Sequence, residues 1–164
     1  RKLLHKLRGE IPDITIRTTF IVGYPNETKK DFEELCDFIR EIKFDRIGTF
    51  TFSVEENTSS YILGDPVSEE DKERRKNVLM EIQKDISLEK NESFVGKKLK
   101  VLIESVEGDF FVGRSYRDAP EVDGEILINK KNNKIKIGKF YDVEINDYDE
   151  YDLFGDILLD ERKR

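Results

Sequence analysis

These 164 residues contain one cysteine, one histidine, one methionine and no tryptophan. The single thiol, Cys36, rules out an internal disulfide framework and fits a reducing cytosol, so a cytoplasmic location is expected. His5 lacks the further His and Cys residues that a metal set needs. One His close to the chain start also supports no Ser-His-Asp arrangement. No catalytic residue and no metal ligand is therefore assigned. No apolar run approaches the roughly 20 residues that span a bilayer, so no membrane partner is expected. Positive charge is in deficit: 29 Lys and Arg face 36 Asp and Glu, a net charge of −7. Nonspecific nucleic-acid binding rests on neutralising phosphates, so this balance argues against it as the main activity. A secretory signal and a starting Met are also missing. The opening Arg1-Lys2-Leu3-Leu4-His5-Lys6-Leu7-Arg8 reads as the end of a helix closed by Gly9. The expectation is a chain that begins inside a larger protein.

What is present is the composition of a folded, highly charged protein. Apolar residues make up 37%, enough for a core, and charged residues 40%, against roughly 25% in an average domain. Abundant Lys and Glu beside scarce Cys and Met suit a thermophile with surface ion-pair networks. The length allows one large domain or two small ones.

The first part alternates strand and helix. Ile14 to Val22 is β-branched and apolar enough for a strand covered on both faces, as in parallel sheets. Alternation sets Arg17, Thr19 and Ile21 on one side and Ile16, Thr18, Phe20 and Val22 on the other. Thr28 opens a helix, with Asp31 at capping-box spacing, and Phe32, Leu35, Cys36, Ile39 and Ile42 form its buried stripe. Arg46 to Phe52 is the next strand, parallel to the first. Asn57 to Pro66 is a loop. Ser68 caps a longer helix running to about Glu92, with Val78, Leu79, Ile82 and Ile86 as its apolar edge. Its first turns are almost entirely charged, as in helices that bridge two layers or domains. From Phe94 the period shortens. Strands are expected at Lys98–Ile103, Phe110–Gly113, Gly124–Ile128, Phe140–Ile145 and Leu153–Leu158, with turns at Gly108-Asp109, Asp123-Gly124 and Lys131-Asn132-Asn133. Such spacing suggests a small closed barrel. The domains are expected at 1–92 and 93–164.

Four segments carry possible chemistry, each with a plainer alternative. Gly23-Tyr24-Pro25-Asn26-Glu27-Thr28 lies where a parallel strand meets a helix, the end at which α/β sheets bind ligands. Free amides there suit an anion or a polar adenine edge; an ordinary, well-capped turn reads the same. Phe52-Ser53-Val54-Glu55-Glu56-Asn57-Thr58 lies at the same sheet end and either holds a polar or cationic substrate group or is a solvated loop. Cys36 sits on a buried stripe and reads as a small core hydrophobe. In Val112 to Gly124, Arg114 and Arg117 suit a carboxylate or phosphate, and Tyr116 suits stacking on a base or filling a protein pocket. Alternatively, Arg114 pairs with Asp118 or Asp123 to hold a long loop. The acidic run Asn146 to Asp152 argues against nucleic acid near that end.

Read in order, Thr18-Thr19-Phe20-Ile21-Val22-Gly23-Tyr24-Pro25, Ser53-Val54-Glu55-Glu56-Asn57-Thr58, the long charged helix and Gly113-Arg114-Ser115-Tyr116-Arg117-Asp118-Ala119-Pro120-Glu121-Val122-Asp123-Gly124 resemble the radical S-adenosylmethionine methylthiotransferases. The likeness covers nearly the whole chain. It implies an α/β plus all-β fold: the C-terminal portion of a radical S-adenosylmethionine (partial TIM) barrel, then a five-stranded antiparallel TRAM β-barrel. The acidic loop is similar to the branch of the family that modifies a ribosomal protein; the transfer-RNA branch carries a basic residue there. Asn26 stands where Gly is usual and Phe52 where Tyr is usual. Asn tolerates a left-handed backbone, while Phe52 lacks the hydroxyl a polar role would need. The implied reaction adds a methylthio group to the β-carbon of an aspartate in small-subunit ribosomal protein twelve. The implied cofactors are S-adenosylmethionine and two [4Fe–4S] clusters. Clusters of this kind need several thiolates, so their ligands would lie outside this sequence and the fragment alone is expected to be inactive. By position, Arg17, Thr19, Ile21, Gly23 and Glu27 would line the cofactor side, and Ser53, Glu55, Glu56, Arg114, Tyr116 and Arg117 the substrate side. The ribosomal protein is the expected partner. RNA, through a transfer-RNA-modifying relative, and a binding module without catalysis are the rivals.

Overall fold

The computed structural model describes residues 1–120, 122–130 and 135–158. The chain forms two compact units, Arg1–Ile86 and Ser87–Arg164.

In the first unit, helix α1 spans Lys2–Glu10 and runs through Gly9 instead of stopping there. A glycine ends a helix by turning left-handed, and Gly9 keeps a negative φ. Strands β1 (Arg17–Val22) and β2 (Arg46–Thr51) pair in parallel, Arg17 opposite Arg46 through Val22 opposite Thr51. Between them lies helix α2, Lys29–Ile42. Its start is the expected capping box: the Thr28 hydroxyl accepts from the Asp31 amide, and the Asp31 carboxylate accepts from the Thr28 amide. Its end is closed from outside. The Arg8 guanidinium donates to the carbonyls of Ile42 and Lys43, which otherwise have no helical partner.

Helix α3 spans Glu69–Glu92, and the division into units falls inside it. The Ser68 hydroxyl accepts from the Asp71 amide at 3.2 Å. The first unit's core joins Val22, the α2 residues Phe32, Cys36 and Ile39, and the α3 residues Leu79, Ile82 and Ile86. Cys36 is buried there. Burial pushes its thiol pKa up, and nearby Arg40 offsets this only in part, so the thiol is a protonated, packed group.

The second unit holds a closed barrel of β3 (Lys98–Glu107), β4 (Phe110–Arg114), β5 (Ile126–Asn129), β6 (Phe140–Tyr148) and β7 (Leu153–Ile157), in the order β3-β4-β5-β7-β6. All five expected strands are present. The all-antiparallel expectation needs one correction: β5 and β7 pair in parallel, while the other four pairings are antiparallel. The reason is geometric, since directions cannot alternate all the way round a closed ring with an odd number of strands. Register shifts at Ile103/Ser105 and Ile145/Asp147 bend β3 and β6, as bulges do where a narrow barrel must curl. Leu99, Val101, Ile103, Phe111, Ile126, Ile128, Val143, Ile145 and Leu153 fill the interior. The expected turn at Lys131-Asn132-Asn133 lies outside the described residues.

Candidate functional site

The carboxyl ends of β1 and β2 gather most of the expected first-unit residues. Along β1, alternation places Arg17, Thr19 and Ile21 on the exposed face, while Phe20 and Val22 turn to the core. Ile21 is 59% exposed, and its register partner on β2, Phe50, is 62% exposed. The sheet therefore offers one open face with an apolar centre. Arg17 lies at the far end of the strand from Gly23.

Beyond β1 the chain turns at Gly23, whose φ is +79°. The Gly23 amide donates to Glu27 Oε2 at 3.1 Å. Arg75, from α3, donates to Glu27 Oε1 at 2.5 Å and to the Glu27 carbonyl at 3.2 Å. The Thr28 and Asp31 amides are taken by the capping box. The Gly23, Thr28 and Asp31 amides are therefore engaged within the turn, and Glu27 holds the turn's shape.

Beside Arg75 sits Lys72, fully buried. Its ammonium lies 2.5 Å from Asp65 Oδ2 and 2.7 Å from Glu69 Oε1. Burial pushes the Lys72 pKa down, but hydrogen bonds to the two carboxylates outweigh it and the net shift is upward. The ammonium also stands 6.0 Å from the Phe52 ring centroid. Phe52 is buried and meets Tyr24 edge-on at 5.3 Å, which is a packing role consistent with its missing hydroxyl. The Lys72 stem runs directly under Gly23: a Cβ at position 23 would stand 2.4 Å from Lys72 Cγ.

Sequence reading passed over Lys72 and Arg75 because the start of α3 is a dense charge run. A signal was present. Positions 72, 75, 79, 82 and 86 follow spacings of three and four, so both cations extend the buried stripe of Leu79, Ile82 and Ile86 toward the amino end.

The loop after β2 holds itself together. The Ser53 hydroxyl donates to Glu55 Oε1 at 3.0 Å, the Thr58 hydroxyl donates to the Glu55 carbonyl at 2.8 Å, and Asn57 takes a φ of 64°. Ser53, Glu55 and Glu56 are exposed.

In the second unit the three expected residues diverge. Arg114 Nε donates to Glu104 Oε1 at 2.8 Å, across the β3–β4 pair. Asp118 and Asp123 accept from the backbone amides of Ser115 and Ala119, so the loop is folded by its own carboxylates rather than by Arg114. Tyr116 is 65% exposed. Arg117 is buried, its guanidinium 3.8 Å from the Phe94 ring centroid.

An iron–sulfur cluster does not fit these residues. The sequence has one cysteine, packed inside the α2 stripe, and no group of three His, Cys, Asp or Glu side chains among the described residues is placed to hold a metal. No helix among them is long and apolar enough to cross a membrane.

The second unit is defined first by its barrel: residues 95–158 match the TRAM domain, so this is a TRAM-domain chain. A more particular likeness extends over both units. The chain is 47% identical over 156 residues to a protein of Cytophaga hutchinsonii named ribosomal protein uS12 methylthiotransferase RimO, covering 95% of the chain and 36% of that protein. Proteins of the same name from Chloroherpeton thalassium and Thermotoga maritima are 46% and 45% identical, each over 96% of the chain and 37% and 36% of the relative. The chain is thus a homologue of the RimO methylthiotransferases and spans a little over a third of their length.

Proposed function

We propose that this chain is part of a radical S-adenosylmethionine methylthiotransferase that modifies the β-carbon of an aspartate in ribosomal protein uS12. The observation that carries the reading is one continuous likeness, 44–47% identical across both units, to proteins named for that reaction. Charge supports a protein substrate over RNA: the loop at the strand ends presents Glu55 and Glu56, and the chain's net charge is −7. The cluster chemistry would come from S-adenosylmethionine and iron–sulfur centres ligated outside this sequence. Here the open face of β1 and β2 would form one wall of the cofactor chamber, Gly23 and Glu27 would set the turn at its rim, and Ser53, Glu55 and Glu56 would meet the substrate. Arg114 and Tyr116 would offer the barrel's contacts, with Arg117 acting from beneath by fixing the loop that carries Tyr116. The chain alone is proposed to be inactive.

The test is anaerobic assay of the longer protein containing these residues, with S-adenosylmethionine and either uS12 or transfer RNA. The expected product is uS12 carrying one methylthio group on an aspartate. Methylthiolation of the RNA alone would overturn the substrate assignment. Cluster absorption with cleavage of S-adenosylmethionine by the 164-residue chain itself would overturn its inactivity.

A further inference from the structure

We propose that Lys72 is a positioning residue that holds the acidic loop in place over the strand ends. The loop is self-contained: among the described residues, the hydrogen bonds made by 53–64 all stay within that segment, from Ser53–Glu55 and Thr58–Ser60 to the amides of Tyr61, Leu63 and Gly64. Its first charged tie to the body of the unit is Asp65, which accepts from the buried Lys72 ammonium at 2.5 Å. Lys72 approaches from below, its stem against Gly23 and its ammonium over Phe52. One side chain therefore touches the turn after β1, the residue just after β2 and the far end of the loop that follows.

A four-carbon aliphatic stem ending in a point charge suits this task. It fills the space beside a glycine and offers three donors to two carboxylates. Arg75 does the parallel work on the other side through Glu27, so the first turns of α3 fix both strand-end segments. That the loop serves a substrate rests on the function proposed above; the positioning itself does not.

Amide hydrogen exchange by NMR on the full 164-residue chain separates the two claims, because no substrate is present. Lys72→Met keeps the stem and removes the charge. Asp65→Asn keeps Lys72 and weakens the tie from a partly exposed side, which covers the case in which the first variant fails to fold. In both, the Tyr61, Leu63 and Gly64 amides are expected to exchange about tenfold faster or more, while the α2 amides of Cys36 and Ile39 stay within about twofold, the pattern of local opening. Unchanged loop amides in either folded variant would overturn the proposal. So would parallel acceleration of loop and α2 amides, which marks Lys72 as a general stabiliser. Neither result bears on the substrate.

Discussion

Replacing Gly23 by alanine tests the packing at the strand ends most sharply. Two separate costs are expected. The φ of +79° places a side chain in the left-handed region, at about 1–2 kcal/mol for an L-residue. The new methyl would also stand 2.4 Å from Lys72 Cγ, and such overpacking costs about 1–3 kcal/mol. The sum is about 2–5 kcal/mol on these two principles. Lys72→Ala removes Cγ and Cδ, so in that background only the backbone part should remain, a coupling of about 1–3 kcal/mol. Lys72→Met removes the charge but keeps Cγ, so Gly23→Ala should stay fully costly there. Urea unfolding read from the resonances of Val22 and Ile39 reports on the first unit without assuming that both units melt together. If the Gly23→Ala and Lys72→Ala effects add within about 0.5 kcal/mol, the stem does not occupy the space the glycine leaves.

Three further outcomes follow from the same geometry. Arg117→Ala should destabilise the second unit by about 2 kcal/mol through loss of a desolvated guanidinium–aromatic stack, and lysine should not restore it; Arg114→Ala, losing a half-exposed pair, should cost about 1 kcal/mol or less in the same urea titration. Glu125 has its carboxyl pKa raised by burial first, then by Glu107, Asp152 and Glu104. A raised folded-state pKa gives stability that is full below the unfolded value near 4.5 and is lost as pH rises through the folded value; Glu125→Gln should therefore raise the second unit's melting temperature at neutral pH and lose that advantage in acid. Cys36 should resist a thiol reagent in the native chain and react promptly in urea; equal rates would contradict its burial.

The elements were legible because their periodicity is strong. The α2 stripe at Phe32, Cys36, Ile39 and Ile42 and the Thr28–Asp31 cap are local patterns, and they formed as read. The five barrel strands were legible for the same reason, whereas the parallel β5–β7 seam follows from closure, a property of the ring and not of any strand. The candidate site was only half legible. Gly23 and Glu27 stood out as a turn, but the cations that lock them come from α3, 48 or more positions away in the chain. A lysine in a run of charges reads as solvated, because burial of Lys is rare without partners. Its partners, Asp65 and Glu69, lie on either side of a helix start and meet it only once α3 forms. Likewise, Arg117 looks like a surface contact until Phe94 is placed beneath it.

Binding of the 164-residue chain to purified uS12, with transfer RNA as competitor across a salt series, tests the proposed protein-directed function most sharply. Saturable binding to uS12 that transfer RNA does not displace is expected. Salt-sensitive binding to transfer RNA with no affinity for uS12, the signature of phosphate-driven recognition, would contradict it.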